Sequence, residues 1–444
     1  MLERRLEYQS LKAVLLHMDA NVRFKISLHM PSIRSVEKVV PLKLNHLYMT
    51  DHVTMVNGTY YEVGVDQHYP EGNAPEEGID DGCFDYDEFG FPFASDIRLP
   101  GDVSFQRGIR NVQLYTEEGE RTCRRDLRHY EKALEILNQM NSRGVTVEDY
   151  RRSLENVPFE SDEDRDVRNV LYRDSRDLGS WIEWYKRKLV PFDCRRNNTK
   201  RSFDCYIEFY ILKGEYNQYQ RFEYNKKLFE AAKYLNEVLF GGRTMPIRVG
   251  ELELPDKEVY RLPVGFRLHA QKARFGRNGI THKNFPLIVE NLESLNSLEV
   301  TSHGLRFNAH KCQIVRNAKR LLIETGAEFD WQQLSQLIRE LSNLEIGIQT
   351  QHSTCSVGFC CMLILAWLNG NRQVGASFWV ETGEDKTGYE MVEEVLKLIE
   401  TRYERSEKNE RCITIPLSNS AVLEASYGRH RKVSWMVKMN IVKA

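Results

Sequence analysis

A 23-residue spacing between short apolar motifs constrains the fold of the C-terminal half of this chain more than any other feature. Three segments follow the pattern (Leu/Ala)-x-x-Leu-x-(Val/Ile), and corresponding positions recur after 23 residues. The three copies are Leu295, Leu298 and Val300; Ala318, Leu321 and Ile323; and Leu341, Leu344 and Ile346. A period of about 20–29 residues is typical of leucine-rich repeats, whose stacked helix–strand units jointly bury an apolar face.

Further copies of the motif occur upstream of these three. One comprises Val249, Leu252 and Leu254, two periods earlier, and a distant one comprises Leu44, Leu47 and Met49. A copy between them would centre on Phe275, but its flanking residues Lys272 and Arg277 do not fit the pattern. The asparagine ladder of regular leucine-rich repeats is missing, so the sequence predicts an irregular array. The alternative is a general α/β domain in which helix–strand units of similar length coincide.

The predicted repeat core consists of the apolar motif positions. These are Leu252, Leu298, Val300, Leu321, Ile323, Leu344 and Ile346. The fold predicted from them is an α/β fold, namely an irregular leucine-rich-repeat-like helix–strand array preceded by N-terminal helices.

Residues 10–40 have helical periodicity. Leu11, Val14, Leu15 and Met18 form one apolar stripe. A second stripe consists of Val22, Ile26, Ile33, Val36 and Val40, and Pro41 ends the helical stretch. Leu44–Thr50 and Thr59–Val65 are predicted strands. Asn57-Gly58 lies between them and predicts a two-residue hairpin turn, because both turn positions require positive φ.

The chain divides into four segments on this basis. Residues 1–43 hold the N-terminal helices, and residues 44–116 hold a first strand unit, the hairpin and an aromatic-rich loop. Residues 117–200 are dense in Arg, Glu and Asp, which predicts a charged and partly helical insertion. Residues 201–444 hold the repeat array, with predicted C-terminal strands that cap its end.

Composition bears on the partners and the compartment. The formal net charge of −2 provides no overall field that would attract nucleic acid or an anionic membrane. The sequence begins with the charged segment Met1–Arg5, which does not resemble a secretory signal. The nine cysteines are irregularly spaced, which predicts reduced thiols in the cytoplasm or nucleus. The longest apolar run, Val357–Leu368, is shorter than the roughly 20 residues of a membrane span. The sequence therefore predicts no membrane partner.

Motifs for catalysis, metals and cofactors are weak, and the sequence predicts none of the three. Asp85-x-Asp87-x-x-Gly90 partly resembles a calcium loop, but Phe89 occupies the third ligand position. A zinc site is conceivable from His352, Cys355, Cys360 and Cys361, yet C-x-x-C pairs are missing and buried thiols are favoured.

Two basic clusters raise the question of nucleic-acid binding. They are Arg121, Arg124, Arg125 and Arg128, and separately Arg195, Arg196, Lys200 and Arg201. Acidic neighbours dilute the first cluster, so solvated charge is favoured over contact with nucleic acid.

The N-terminal sequence resembles the F-box-like opening of a nematode F-box-associated family. The resemblance extends over most of the chain outside the charged insertion. It rests on Leu6–Ser27, Pro31–Arg34, Lys38–Lys43, Tyr61–Val65, Tyr69–Gly72, Phe89–Pro92, Pro100–Val103, Glu223–Lys227 and Arg411–Pro416. The sequence departs from a standard F-box at its start, where Leu6-Glu7 replaces the usual Leu-Pro.

The resemblance implies a C-terminal domain of unknown function and an adaptor role. By analogy with F-box proteins, the opening helices would bind the Skp-type adaptor of a Skp–cullin ubiquitin ligase, and the repeats would recruit an unidentified protein target. The residues expected to bind the adaptor are Leu6, Leu11, Val14, Leu15, Met18 and Ile26. Two alternatives remain open: an interaction scaffold whose helices only cap the array, and an enzyme with a diffuse site.

Overall fold

The computed structural model of the protein describes most of the chain. The described residues are 8–70, 82–93, 97–104, 115–155, 157–255, 259–276, 285–292, 295–301, 312–326, 330–350, 356–370, 372–383, 386–403, 407–409, 412–418, 420–430 and 434–444.

Helices and strands alternate along these residues. The helices are α1 Tyr8–His17, α2 Ala20–His29, α3 Arg34–Val39, α4 Glu117–Ser142, α5 Val147–Ser153, α6 Asp162–Asp174, α7 Leu178–Asn197, α8 Leu228–Phe240, α9 Gln313–Asn317, α10 Trp331–Glu340, α11 Val357–Leu368 and α12 Lys386–Arg402. The strands are β1 Lys43–Met49, β2 Val53–Val56, β3 Thr59–His68, β4 Asp85–Tyr86, β5 Pro92–Phe93, β6 Asp204–Lys213, β7 Tyr216–Glu223, β8 Ile247–Leu254, β9 Leu268–Phe275, β10 Ser297–Thr301, β11 Arg320–Thr325, β12 Glu345–Thr350, β13 Ser377–Gly383, β14 Glu407–Asn409, β15 Cys412–Ser418, β16 Ala421–His430 and β17 Ser434–Lys443.

One large mixed sheet organises the fold. Its spatial order is β14-β15-β16-β17-β13-β12-β11-β10-β9-β8-β1-β2-β3-β6-β7. The seven strands from β13 to β1 pair in parallel, whereas the strands at both ends pair antiparallel. The predicted α/β class and the N-terminal helices are therefore confirmed.

Strand β1 joins the N-terminal segment to the C-terminal half. It pairs in parallel with β8, with Leu44 opposite Val249 and Leu47 opposite Leu252. The predicted turn at Asn57-Gly58 is confirmed, since the two residues have φ 51° and 80°, but it joins β3 to β2, a strand that the sequence did not predict, and not to β1. The side-chain oxygen of Asn57 also accepts hydrogen bonds from the backbone N–H groups of residues 45 and 46, at 2.8 and 3.1 Å. The turn thus holds β1 in place.

Two rows of apolar side chains run across the parallel strands. The first takes one residue from each of the seven strands, and the second takes one from each strand from β8 to β13. The first row is Leu47, Leu252, Ala273, Leu298, Leu321, Ile346 and Phe378. The second row is Leu254, Phe275, Val300, Ile323, Ile348 and Val380. Every member is at most 3% exposed. Buried residues of α8, α10, α11 and α12 belong to the same apolar core, so these helices cover this face of the sheet.

The sequence alignment of the last motif copy is wrong by two residues. Leu344 precedes β12 and is 41% exposed, while Ile346 pairs with Leu321. The position expected for Leu341 is taken by Asn343, whose amide donates to the Val315 and Ala318 carbonyls at 2.6 and 2.7 Å. The physical reason is that α10, at 10 residues, is longer than the 5-residue α9, which lengthens this helix–strand unit.

The missing intermediate copy of the motif is also present, with small residues. Ala273 pairs with Leu252 on one side and with Leu298 on the other, and Ala270 and Phe275 complete the pattern. The expectation that this copy centres on Phe275 is wrong. Ala273, two residues earlier, is in register with the central leucines Leu252 and Leu298.

The charged insertion consists of four helices with a core of its own. Tyr130 and Ala133 of α4 pack with Val167 and Leu171 of α6 and with Leu178 of α7. Between α4 and α7, a smaller cluster joins Cys123 and Phe192 to Phe91 of the aromatic-rich loop. The insertion therefore folds around its own apolar contacts.

Substitutions at positions 298 and 344 test the strand register. Leu298→Ala removes a fully buried member of the first row, so we expect the free energy of unfolding to fall by about 2–5 kcal/mol. Leu344→Ala changes an exposed side chain, and we expect a change within about 0.5 kcal/mol. Chemical denaturation of both variants measures the difference, and equal losses would contradict the register.

Candidate interaction surfaces

The predicted adaptor-binding residues do not share one exposed face. Leu15 is buried, whereas Leu11, Met18 and Ile26 are half-buried and Val14 is exposed. Leu6 lies outside the described residues. The apolar stripe therefore has mixed exposure, with Leu15 in the protein core.

Other apolar side chains of the N-terminal helices face solvent. Their exposed fractions are large, from 38% to 52%. Together with Val14 they occur on all three helices and on the residue that follows α2: Tyr8, Leu16, Val22, Leu28, Met30 and Val39. The stripes of the sequence include Val14 and Val22 but missed the other five of these seven residues, because a stripe selects the side chains that share one helix face. The N-terminal helices thus present an apolar surface that the described part of the protein leaves uncovered.

A buried ionic cluster fixes these helices to the sheet domain. Arg23 of α2 lies 2.9 Å from the Glu37 carboxylate of α3, and Arg243, just after α8, lies 2.7 Å from the same carboxylate. The three side chains are at most 5% exposed. Arg23 also donates to the carbonyls of Pro41 and Val40 at 2.9 and 3.0 Å. One carboxylate therefore holds two guanidinium groups from different elements.

Lys38 strengthens the same junction from α3. Its ammonium group donates to the carbonyls of Val238 and Leu239 at 2.8 and 3.1 Å, at the C-terminal end of α8. Burial, together with the positive charge of Arg243, lowers the pKa of Lys38 to about 8. Burial likewise lowers the pKa of Arg243, against the attraction of Glu37. Loss of Glu37 would leave several buried cations without their counter-charge.

The opposite face of the parallel sheet, called the open face below, carries a row of charged side chains that are between 15% and 42% exposed. Arg274 of β9 lies 3.1 Å from Glu299, 3.5 Å from Glu324 and 3.9 Å from Glu253. His46 of β1 lies 3.6 Å from Glu253 and extends the row. Burial alone would lower the pKa of Arg274, but attraction by Glu299, Glu253 and Glu324 outweighs it and raises the pKa. This charged row crosses five strands.

A tryptophan lies flat against the same face further along the sheet, where it is only 5% exposed. Trp379 of β13 is opposite Gly347 of β12, and a Cβ atom at position 347 would overlap the indole ring. The indole N–H donates to Glu345 at 3.1 Å, and Arg320 lies 2.5 Å from the same carboxylate. Glycine is therefore required at 347 for the close approach of the ring. Arg320, Glu345 and Trp379 form the second part of the open face.

The predicted repeat-core residues lie on the other side of this sheet. Leu252, Leu298, Val300, Leu321, Ile323 and Ile346 are all at most 1% exposed and belong to the apolar core, whereas Leu344 is exposed. They thus determine the shape of the sheet and do not reach the open face. Sequence reasoning did not assign the open-face residues, although their alternation with the buried positions is the signal that could have found them.

The acidic residues of the calcium-like segment are engaged within the protein. Asp85 accepts hydrogen bonds from the Tyr224 hydroxyl at 2.5 Å and from the Leu228 N–H at 2.8 Å, at the start of α8. Burial raises the pKa of Asp85, although both bonds oppose the shift. Asp87 accepts from the N–H groups of Phe89 and Phe91 at 3.0 and 2.8 Å. Across the described ranges, no group of three or more His, Cys, Asp or Glu could hold a metal ion.

The residues of the zinc hypothesis are only partly described. Cys360 is fully buried in α11, and Cys361 is half-buried, with a pKa raised by burial. His352 and Cys355 lie outside the described residues.

The two basic clusters meet between α4 and α7. Arg124 lies 2.9 Å from Glu120 and 2.6 Å from Asp193, and Arg196 contacts the same two carboxylates. Arg195 stacks over Phe91, with 4.8 Å from its guanidinium carbon to the ring centre. The charges of these arginines are thus compensated or engaged within the insertion.

Part of the chain matches the model of one protein family. Residues 227–384 match a domain of unknown function (DUF3557). The matched range begins just before α8 and extends through β13, so it includes six of the seven parallel strands. No curated protein and no solved structure matches the chain. Among the described helices, none is both long enough and sufficiently apolar to cross a membrane.

The ionic cluster around Glu37 is testable by removing its charge. We expect Glu37→Gln to lower the free energy of unfolding by about 3–5 kcal/mol, because it leaves buried guanidinium groups without a counter-charge. Glu163→Gln is the control, since the Glu163–Lys132 pair is exposed and its loss should leave stability unchanged. Urea denaturation compares the two, and a loss no larger than in the control would contradict the anchoring role.

The close approach at the open face gives a second test. We expect Gly347→Ala to lower the free energy of unfolding by about 1–3 kcal/mol, because the added methyl group displaces Trp379. Gly179→Ala in α7 is the matched control, since its added methyl group meets open space and should stabilise the helix by up to about 1 kcal/mol. Thermal denaturation measures both, and an unaffected Gly347→Ala variant would disprove the packing.

Proposed function

We propose that the protein is a substrate-recruiting adaptor of the F-box type. In this proposal the N-terminal helices bind a Skp-type adaptor of a Skp–cullin ubiquitin ligase. The open face of the parallel strands, an irregular leucine-rich-repeat-like surface, binds a protein target. The proposal assigns the protein a role in recognition and no catalytic step of its own.

The exposed apolar surface of α1–α3 is the observation that carries the proposal. F-box segments dock through apolar contacts of short helices, and here exposed side chains such as Val14, Val22 and Leu28 occur on helices of 10 residues. Their placement coincides with the segment that resembles an F-box-like opening. The ionic cluster of Arg23, Glu37 and Arg243 holds the surface in a fixed position, which lowers the entropy lost on binding.

The open face supports the second half of the proposal. Repeat arrays use the extended surfaces of their stacked strands to bind partners. Here that surface carries partly exposed arginines such as Arg274 and Arg320, a residue type that is enriched where proteins bind one another. The buried Trp379 supports it from within, since its indole N–H donates to Glu345. The paired charges would give specificity for a partner with complementary charge.

Binding to a purified Skp-type adaptor tests the proposal. We expect the full chain to bind the immobilised adaptor, and Val14→Asp with Val22→Asp to weaken binding by about 10- to 100-fold, because charge replaces two apolar contacts. Val190→Asp is the control: Val190 and Val14 are both 45% exposed, but Val190 lies on α7 of the insertion. Its binding should equal that of the wild type.

The alternative function is a protein-interaction scaffold without a ligase role. The burial of Leu15 and the Glu37 cluster favour it, because they make the helices a structural part of the sheet domain. A folded wild-type chain that fails to bind the adaptor would reject the adaptor role in favour of the scaffold. Equal binding by the double variant and the wild type would show that α1–α3 are not the docking surface.

A further inference from the structure

A tight turn between β1 and β2 presents an acidic residue and a histidine side by side. The Thr50 N–H donates to the Val53 carbonyl at 2.7 Å, and the Thr50 hydroxyl accepts from the Val53 N–H at 3.0 Å. Asp51 and His52 form the tip of this turn. The His52 carbonyl accepts a hydrogen bond from the Val63 N–H of β3 at 3.0 Å, so the turn is fixed to the neighbouring strand.

The same edge of β3 holds a cysteine from a distant part of the chain. The Gly82 carbonyl accepts from the Val65 N–H at 2.9 Å, two residues along β3 from the contact of His52. This places Cys83 next to the histidine. Backbone hydrogen bonds to β3 thus place His52 and Cys83 next to each other. This placement does not require any contact between the two side chains.

The side chains form a continuous Cys–His–Asp contact. The Cys83 Sγ lies 2.9 Å from His52 Nε2, and the Asp51 Oδ1 lies 2.8 Å from His52 Nδ1. The Asp51–His52 contact has the distance of an ion pair but not the alignment of a hydrogen bond. The histidine side chain is 8% exposed and the aspartate 19%, whereas Cys83 is half-buried and therefore accessible.

Four other described cysteines have different surroundings. Cys123, Cys205 and Cys360 are buried, and burial raises the pKa of Cys205 to about 11. Cys194 is half-buried like Cys83, but its thiol contacts the Lys200 carbonyl at 3.9 Å. A thiol beside an imidazole that is itself beside a carboxylate is the arrangement that activates cysteine nucleophiles.

We propose that Cys83 is a nucleophilic thiolate, paired with the His52 imidazolium, that is oxidised by hydroperoxides. The thiol proton moves to His52 Nε2, and the Asp51 carboxylate, 2.8 Å from Nδ1, stabilises the positive charge of the imidazolium. Cys83 and His52 are thus the reacting groups, and Asp51 is a positioning residue.

The reaction needs only the peroxide as a co-reactant. The Cys83 sulfur attacks the terminal oxygen of the peroxide, so an S–O bond forms and the O–O bond breaks. Sulfur is oxidised by two electrons to a sulfenic acid, and the peroxide is reduced. The leaving oxygen takes the proton of His52 Nε2 and departs as water or an alcohol. Acyl transfer would need donors for an oxyanion as well, whereas this reaction requires only the two groups in contact.

Site-resolved oxidation of the full-length protein tests this proposal. The purified chain is treated with hydrogen peroxide at pH 7, sulfenic acid is trapped with dimedone, and each cysteine peptide is quantified by mass spectrometry. We expect Cys83 to react at least about tenfold faster than Cys194, the equally half-buried control in the same molecule. We expect His52→Gln to slow Cys83 by about tenfold and leave Cys194 unchanged, and Asp51→Asn to give a smaller decrease.

The comparison separates an activating histidine from a structural one. A histidine that only packs against Cys83 would, when replaced, loosen the site and leave its oxidation equal or faster. That result, or a wild-type Cys83 that reacts no faster than Cys194, would overturn the proposal. If His52→Gln fails to fold, the ratio of Cys83 to Cys194 in the wild type and in Asp51→Asn decides the question.

Discussion

Parallel pairing between β1 and β8 is the constraint on which the rest of this structure depends. Strand β1 comes from the first 50 residues and β8 from the second half of the chain, yet Leu47 and Leu252 lie opposite each other in one apolar row. That pairing extends the parallel part of the sheet to seven strands and attaches the antiparallel strands β2, β3, β6 and β7 to it. The N-terminal helices pack on the antiparallel strands, where Phe24 contacts Tyr61 of β3, and the pairing of β1 with β8 brings them to α8.

The ionic cluster at Glu37 is a consequence of this pairing. With β1 beside β8, α3 lies close to the end of α8, and Arg243 can reach a carboxylate about 200 residues earlier in the chain. Phe24 of α2 packs edge-on against Phe240 of α8, with ring centres 5.9 Å apart. Buried charge and aromatic packing thus act at the same junction. The exposed apolar side chains of α1–α3 are therefore held at a defined place, as a docking surface requires.

The sequence allowed some elements of the fold to be predicted, because their signals are local. The helices before Pro41 and the Asn57-Gly58 turn follow from periodicity and from turn chemistry. The strand register does not, because hydrogen bonding between strands sets the apolar rows, and the number of residues between strands varies. Leu344 lies at the expected spacing in the sequence, but Ile346 takes its place opposite Leu321 in the sheet. Ala273 lies in the apolar row opposite Leu298, although it is not a leucine.

The candidate sites were harder to predict than the fold. The charged row around Arg274 follows from alternation only once the strands are known, since Glu253, Glu299 and Glu324 come from three different strands. The contact between His52 and Cys83 spans 31 residues of sequence. It depends on where β3 places two loops, and neither residue belongs to a recognisable motif. Most of the exposed apolar side chains of α1–α3 were missed for a different reason, since periodicity mainly finds the buried side of a helix.

Native-state hydrogen exchange of the full chain tests the central claim, that the N-terminal segment and the C-terminal half fold as one sheet. The amides of β1 and β8 should exchange slowly and through the same opening reaction. Their free energies of opening should be equal and should fall equally with denaturant concentration. The Arg248 N–H, which donates to the Leu42 carbonyl at 3.0 Å, reports directly on the junction. Fast exchange throughout β1 and at Arg248, with the rest of β8 to β12 protected, would contradict the account.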